Sequence, residues 1–102
     1  MPVDSDLQTR GKAETRTAKP RLYKVILLND DFTPREFVVM VLKRVFGMGP
    51  ETAHAVMMTA HQLGACVVAV FTKEVAETKA AQANELSQEA GFPLKFSTEP
   101  ED

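Results

Sequence analysis

The chain has 102 residues, of which 44% are hydrophobic and 25% charged, so it has room for one compact domain with one core. Its 12 basic and 14 acidic residues give a net charge of −2, which argues against nucleic acid as a partner because phosphate backbones select a clustered basic excess. The sequence contains no apolar run suited to a signal peptide or a membrane span, which favours a cytosolic protein.

The N-terminal segment, residues 1–20, is rich in charged and small polar side chains. Such a segment buries too little apolar surface to offset its ordering entropy, so we predict a disordered arm. Leu22 to Leu28 is a nearly continuous apolar run that stops at Asn29-Asp30-Asp31, and this pattern is typical of a mostly buried strand. We therefore expect the folded domain to begin at about residue 21.

A first helix is predicted after this strand. Thr33, Pro34 and Glu36 match a helix start, with threonine as the cap, proline at the first helical position and an acidic residue three positions after the cap. The helical pattern continues to Phe46, and Gly47 then interrupts it.

The second half of the chain predicts two more helices and two more strands. Helical spacing resumes at Pro50 and ends at Gly64, and residues 66–71 are apolar and β-branched like a strand. Thr72 is the predicted cap of a third helix that ends at Gly91. Within the second strand, Cys66 is the only cysteine, which indicates a buried small hydrophobe in a reducing compartment.

A last strand is predicted over residues 94–98, where apolar and polar side chains alternate, followed by an acidic tail over residues 99–102. The element order is then β-α-α-β-α-β. Amphipathic elements in this order bury their apolar sides best in an α+β domain, a three-stranded sheet with the helices packed on one face.

Enzymatic and metal-binding functions find little support in the sequence. His54 and His61 are seven residues apart on one predicted helix, roughly 10 Å along its axis, which is too far to share one metal ion. Zinc-binding spacings and phosphate-binding glycine loops are absent from the sequence, so we expect neither a metal site nor a cofactor. A nucleophilic pair of Cys66 with His61 is disfavoured because an apolar strand destabilises a thiolate.

The remaining polar residues have structural explanations when each is taken alone. Asn29-Asp30-Asp31 is a common way to end a strand and form a turn. His61 could be a core histidine that bonds to backbone, and Met57 could be an ordinary core residue. The residue types by themselves therefore leave the function open.

Four longer motifs indicate one function among those left open. They are YKVILLNDDFTP at 23–34, EFV at 36–38, MMTAH at 57–61 and VFTKEVAETK at 70–79. Their order and spacing resemble the ClpS family over about residues 21–98. The resemblance implies an adaptor, not an enzyme. It would bind N-degrons, proteins with a bulky hydrophobic first residue (Leu, Phe, Tyr or Trp), and deliver them to the Clp AAA+ unfoldase ClpA for degradation by ClpP in the bacterial cytosol.

The resemblance also implies a site for the ligand's α-amino group. Asn29 and His61 would contact the amine directly, with Asp30 and Asp31 completing the negative end. An ammonium group offers three donors and one positive charge, so acceptors that include a carboxylate suit it. Since Leu27, Asn29 and Asp31 point to one side of an extended chain, Asp31 is the leading carboxylate.

A hydrophobic pocket for the first side chain is implied beside that polar group. The family commonly has methionine where this chain has Arg35, and we interpret the aliphatic stem of Arg35 as a pocket wall with its charge in water. On the third helix, Glu74 and Lys79 match residues of the family's surface for the ClpA N-terminal domain, and the arm matches an extension that helps hand over substrate. The implied pocket residues are Leu27, Thr33, Arg35, Val38, Met57 and Leu94.

Two other interpretations remain open. One is an interaction domain that holds an internal peptide helix in an apolar groove and is indifferent to the peptide's amino terminus. The other is a small ribosome-associated protein, because the element order also resembles the C-terminal domain of the ribosomal stalk protein. That second likeness concerns the fold alone, and a fold does not determine function.

Overall fold

The computed structural model describes residues 20–102, which form three strands and three helices in the predicted order β-α-α-β-α-β. The predicted arm therefore lies outside the described residues, apart from Pro20. Among residues 20–102, no helix is long and apolar enough to span a membrane. The elements are β1 (Leu22–Leu28), α1 (Arg35–Phe46), α2 (Pro50–Leu63), β2 (Ala65–Thr72), α3 (Lys73–Ala90) and β3 (Lys95–Pro100).

The three strands form an antiparallel sheet in the order β2-β1-β3. The most apolar strand, β1, is central, where both its edges are paired. Its Val25 and Leu27 are buried at 0% and 1% exposure, and Leu27 lies opposite Cys66 and Phe96. The opposite face carries Val67 at 47% exposure, so the helices cover one face of the sheet and the predicted α+β class is confirmed.

Each helix buries one stripe in the core, where α2 and α3 pack on the sheet and α1 packs on α2 and α3. The stripe on α3 is made of small residues, which allow a helix to approach a sheet closely. Gly47, Gly64 and Gly91 end the three helices in the left-handed conformation that glycine adopts without strain, as the sequence predicted. The buried helical residues are Val38, Val41, Leu42, Val45, Ala53, Met57, Ala60, Ala76, Ala80, Ala83 and Ser87.

The predicted Thr33 cap is wrong. Helix α1 begins at Arg35 with Pro34 in the cap position, and no side chain makes a cap hydrogen bond. The Thr33 hydroxyl donates instead to the Asp30 carboxylate at 2.8 Å, a charge-assisted bond within the loop, and its oxygen does not accept from an amide of the first helical turn. Thr72 does precede α3, but its side chain makes no cap bond either.

The predicted end of the last strand is also wrong. β3 begins at Lys95 and runs to Pro100, so Glu99 and Pro100 belong to the sheet and not to an acidic tail. Glu99 lies opposite Lys24, and their side chains form an ion pair at 3.6 Å. Pro100 is tolerated because β3 is an edge strand, which leaves one side of its backbone without a ladder partner.

Cys66 is half-buried, not fully buried as the sequence suggested. It packs against the core, and burial raises the pKa of its thiol. The thiol therefore stays protonated at neutral pH, which does not suit a nucleophile.

The edge strand β3 is secured by one side chain of α3. The Asn84 side chain donates to the Phe96 carbonyl at 3.0 Å and accepts from the Phe96 amide at 2.7 Å. We predict that Asn84→Ala lowers the free energy of unfolding by about 1–3 kcal/mol, because both partly buried backbone groups lose their partner. Urea unfolding measures this. Gln82→Ala, an exposed change on the same helix, is the control, and equal losses in both variants would contradict the assignment.

Candidate functional site

A cavity of about 180 Å³ opens between the end of β1, the start of α1, the last turns of α2 and the segment before β3. It is smaller than the roughly 300 Å³ at which pockets for drug-sized ligands begin, so it suits a single side chain. Every residue predicted for amine binding or for the hydrophobic pocket lines it, together with two residues that were not predicted, Leu28 and Ala60. The predicted residues found there are Leu27, Asn29, Asp30, Asp31, Thr33, Arg35, Val38, Met57, His61 and Leu94.

The cavity has a buried apolar floor. Leu27, Val38, Met57, Ala60 and Leu94 are all less than 9% exposed, although they come from four separate parts of the chain. These side chains also belong to the main hydrophobic core, so the floor is held by the same packing that stabilises the fold. The floor is therefore preformed and does not require a ligand to assemble it.

The mouth of the cavity is polar and faces solvent. Asn29, Asp31, Arg35 and His61 line it and are exposed. The backbone amide of Asn29 donates to the carbonyl of Gly64 at 3.0 Å, which ties the β1–α1 loop to the end of α2. Because His61 lies in the last turn of α2, this bond holds Asn29 and His61 beside the same opening.

The two aspartates of the loop have different surroundings. The Asp30 carboxylate accepts hydrogen bonds from the amides of Phe32 and Thr33, each at 2.8 Å, and from the Thr33 hydroxyl. Asp31 is exposed, and within residues 20–102 its side chain makes no hydrogen bond. Asp30 therefore shapes the loop, whereas the Asp31 carboxylate stands at the mouth of the cavity.

His61 contacts Arg35 across the opening. The Arg35 Nη2 lies 3.2 Å from His61 Nε2, and since a guanidinium has no acceptor, Nε2 must accept this hydrogen bond. The imidazole form with its proton on Nδ1 offers Nε2 as that acceptor. The two residues are 26 positions apart on different helices, so no sequence motif predicted this pair.

Two lining residues were not predicted, because in the sequence both resemble ordinary core positions. Ala60 is 2% exposed and precedes His61 on α2, and Leu28 is the last residue of β1 at 36% exposure. An alanine one residue before His61 carries no chemical signal. The small side chain of Ala60 leaves room at this point of the cavity floor, and this is visible only in the packed structure.

The two residues predicted for docking lie elsewhere. Glu74 and Lys79 line one shallow groove on the surface of α3, together with Val75, which is 42% exposed. The Lys79 ammonium donates to the carbonyl of Val45 at 3.0 Å, near the end of α1. Lys79 thus also satisfies a carbonyl of the last turn of that helix, a contact that the sequence did not predict.

Comparisons with known proteins agree with this fold. The family described as "ATP-dependent Clp protease adaptor protein ClpS" matches residues 18–97. Adapter protein ClpS 2 of Rhizobium meliloti is 57% identical over 99 residues, 97% of this chain and 98% of the relative. ClpS 1 of Bradyrhizobium diazoefficiens is 56% identical over 100 residues, 96% of this chain and 99% of the relative.

A solved structure is also similar. Agrobacterium tumefaciens ClpS2 bound to L-phenylalaninamide has a TM-score of 0.81 and 61% sequence identity, and the match covers 81% of this chain and 100% of that one. The fold and these relatives define the chain as an adaptor of an ATP-dependent Clp protease and not as an enzyme. The chain belongs to the ClpS family. A Clp protease and the substrates it degrades are therefore its partners.

Proposed function

We propose that the chain binds the free α-amino group and the bulky hydrophobic first side chain of N-degron substrates. The observation that carries this proposal is the pairing of a buried, preformed apolar cavity with a polar mouth that contains a carboxylate and two neutral acceptors. The cavity takes the side chain. The mouth takes the amine, since Asn29, Asp31 and His61 offer acceptors for three N–H donors.

The expected energies are sufficient for specific binding. Burying one Leu or Phe side chain contributes roughly 1.5–3 kcal/mol. Charge-assisted hydrogen bonds from the ammonium contribute about 1.5–3 kcal/mol each. After the entropy cost of association, a dissociation constant on the order of micromolar follows, which corresponds to about −8 kcal/mol.

The ligand of the Agrobacterium tumefaciens relative supports this assignment. L-phenylalaninamide carries a free α-amino group and a large apolar side chain but no second residue. A molecule of that kind has the two features that the mouth and floor of the cavity are suited to bind. An internal peptide segment can offer such a side chain but lacks the free amino group, because its nitrogen is an amide.

Delivery is the second half of the proposed function. The chain would carry its ligand to the N-terminal domain of the unfoldase ClpA, for degradation by ClpP in the bacterial cytosol. The groove with Glu74 and Lys79 lies on α3, which supplies no residue to the cavity, so both partners could be held together. Residues 1–20 would assist in the transfer of the substrate.

A series of peptides that differ only in the first residue tests the proposal. Leu, Phe, Tyr and Trp are expected to bind, whereas Gly is expected to bind at least about 10-fold more weakly because it leaves the floor unfilled. Ile and Val are expected to bind less tightly than Leu, because the stem of Arg35 crowds a branched β-carbon. Fluorescence anisotropy measures all of these affinities. Equal affinity for every peptide in the series would contradict the proposal and favour a groove that binds peptides regardless of their first residue.

The docking surface gives a separate prediction. Reversing the charge in Glu74→Lys is expected to weaken binding to the ClpA N-terminal domain at least about 10-fold, by removing a favourable charge contact and adding a repulsive one. The affinity for a Leu-first peptide should stay unchanged, because Glu74 lies on a different surface. Calorimetry with the isolated ClpA domain measures the first effect. Glu85→Lys, an exposed change on the same helix, is the control, and equal weakening by both variants would contradict the assignment.

A further inference from the structure

Arg35 is a cation placed among the groups proposed to bind another cation. It is the first residue of α1, and its guanidinium lies 3.2 Å from the nitrogen of His61 that would accept from the ligand's amine. Within residues 20–102, the ion pairs are Arg21–Asp102 and Lys24–Glu99, so no carboxylate of that range pairs with Arg35. Its charge is therefore not neutralised by a neighbour there.

Arg35 and a bound amine cannot both use His61 in the observed way. A neutral imidazole has one acceptor nitrogen, and in His61 that nitrogen already accepts from Arg35. An incoming ammonium needs the same lone pair, and two cations in contact repel each other. The guanidinium must therefore leave His61 when the amine binds.

The displaced guanidinium stays close to the ligand. It is attached to the first turn of a helix that also supplies Val38 to the cavity floor, so its movement is limited to rotation of its own side chain. The ligand's first side chain fills the cavity and its chain leaves through the mouth. Consecutive α-carbons are about 3.8 Å apart, so the second and third residues pass close to this charge.

We propose that Arg35 occupies the amine acceptor of the empty site and, once displaced, selects ligands by the charge of their second and third residues. Acidic residues there are favoured and basic residues are disfavoured. The inference rests on the proposed function and deepens it by naming a substrate feature beyond the first residue. Without Arg35, the carboxylates of Asp30 and Asp31 would leave the mouth acidic and reverse this preference.

The state of the empty site is tested by the tautomer of His61. Long-range nitrogen–proton NMR distinguishes an imidazole with the proton on Nδ1 from one with the proton on Nε2. The wild-type spectrum above pH 8 is expected to show His61 with the proton on Nδ1, and Arg35→Met is expected to raise the Nε2–H form. Only two histidines are present, so His54→Gln assigns the signals.

Ligand selection is tested with three Leu-first peptides that carry Glu-Glu, Ser-Ser or Lys-Lys at positions two and three. The wild-type protein should bind the Glu-Glu peptide more tightly than the Lys-Lys peptide. In Arg35→Met this affinity ratio should fall by about fivefold or more, the size expected for one charge at close range near a protein surface. Arg35→Lys should keep most of the ratio, because it keeps the charge. Arg44→Met, an exposed arginine in the last turn of α1, is the matched control.

The outcomes separate this inference from the proposed function. If the Ser-Ser peptide binds through its free amine but the charge ratio is the same in wild type, Arg35→Met and Arg44→Met, the inference is overturned and the proposed function stands. An unchanged His61 tautomer in Arg35→Met also overturns it. If no free-amine peptide binds any of the proteins, the proposed function fails and the inference fails with it.

Discussion

Acetylating the first residue of a Leu-first peptide is expected to weaken its binding by about 100-fold or more, the equivalent of about 2.7 kcal/mol. The acetylated nitrogen loses its positive charge and two of its three donors. The Asp31 carboxylate then has no cation to pair with, and at least two charge-assisted bonds of about 1.5–3 kcal/mol each are lost. Anisotropy with the free and acetylated peptides measures the difference.

Removing the His61 side chain tests the same contact from the side of the protein. His61→Ala should weaken binding of the free-amine peptide by about 10-fold or more and should hardly change the already weak binding of the acetylated one.

Equal binding of the free and acetylated peptides would favour the alternative interpretation, a groove for internal peptide segments. If His61→Ala bound the free-amine peptide as tightly as wild type does, His61 would not belong to the amine site, which would then consist of Asn29 and Asp31. His54→Ala is the matched control, because His54 is exposed on the same helix and does not line the cavity.

The fold was predictable because its signals are local. The apolar run of β1, the helical spacing of α1 to α3 and the glycines at helix ends each depend on neighbouring residues, and all survive in the structure. The error in the bounds of β3 arises because a distant partner determines where that strand ends. β3 extends to Pro100 because Glu99 pairs with Lys24, 75 positions earlier in the chain. The composition of residues 99–102 by itself predicts a solvated tail.

Most of the residues that line the cavity were predictable from the sequence, but the hydrogen bonds among side chains were not. The family motifs pointed to ten of its lining residues, whereas periodicity alone left Met57 and His61 as ordinary core positions. The contact between Arg35 and His61 and the bond from Lys79 to Val45 depend on side-chain conformations across separate helices. No spacing rule encodes such pairs, because helix packing brings them together.

The adjacent residues Asp30 and Asp31 are expected to respond in opposite ways to the same substitution. Asp30→Asn keeps one acceptor oxygen, but it replaces the other with an N–H₂ group and removes the charge that strengthens the bonds from the two backbone amides and the Thr33 hydroxyl, so the free energy of unfolding should fall by about 1–3 kcal/mol. Asp31→Asn removes only a charge exposed to solvent, so stability should stay within about 0.5 kcal/mol of wild type.

Peptide binding completes this contrast. Asp31→Asn should weaken the binding of a free-amine peptide by about 10-fold or more, because the ammonium loses its anionic partner while the loop stays intact. Urea unfolding and anisotropy on the same two variants separate the effects, and Glu36→Gln, an exposed carboxylate in the first turn of α1, is the control.

If Asp31→Asn destabilised the protein as much as Asp30→Asn did, the division between a loop-forming and a ligand-binding aspartate would be wrong. If only Asp30→Asn weakened binding, the amine would find its charge partner in Asp30, and the bonds within the loop would have to rearrange around the ligand.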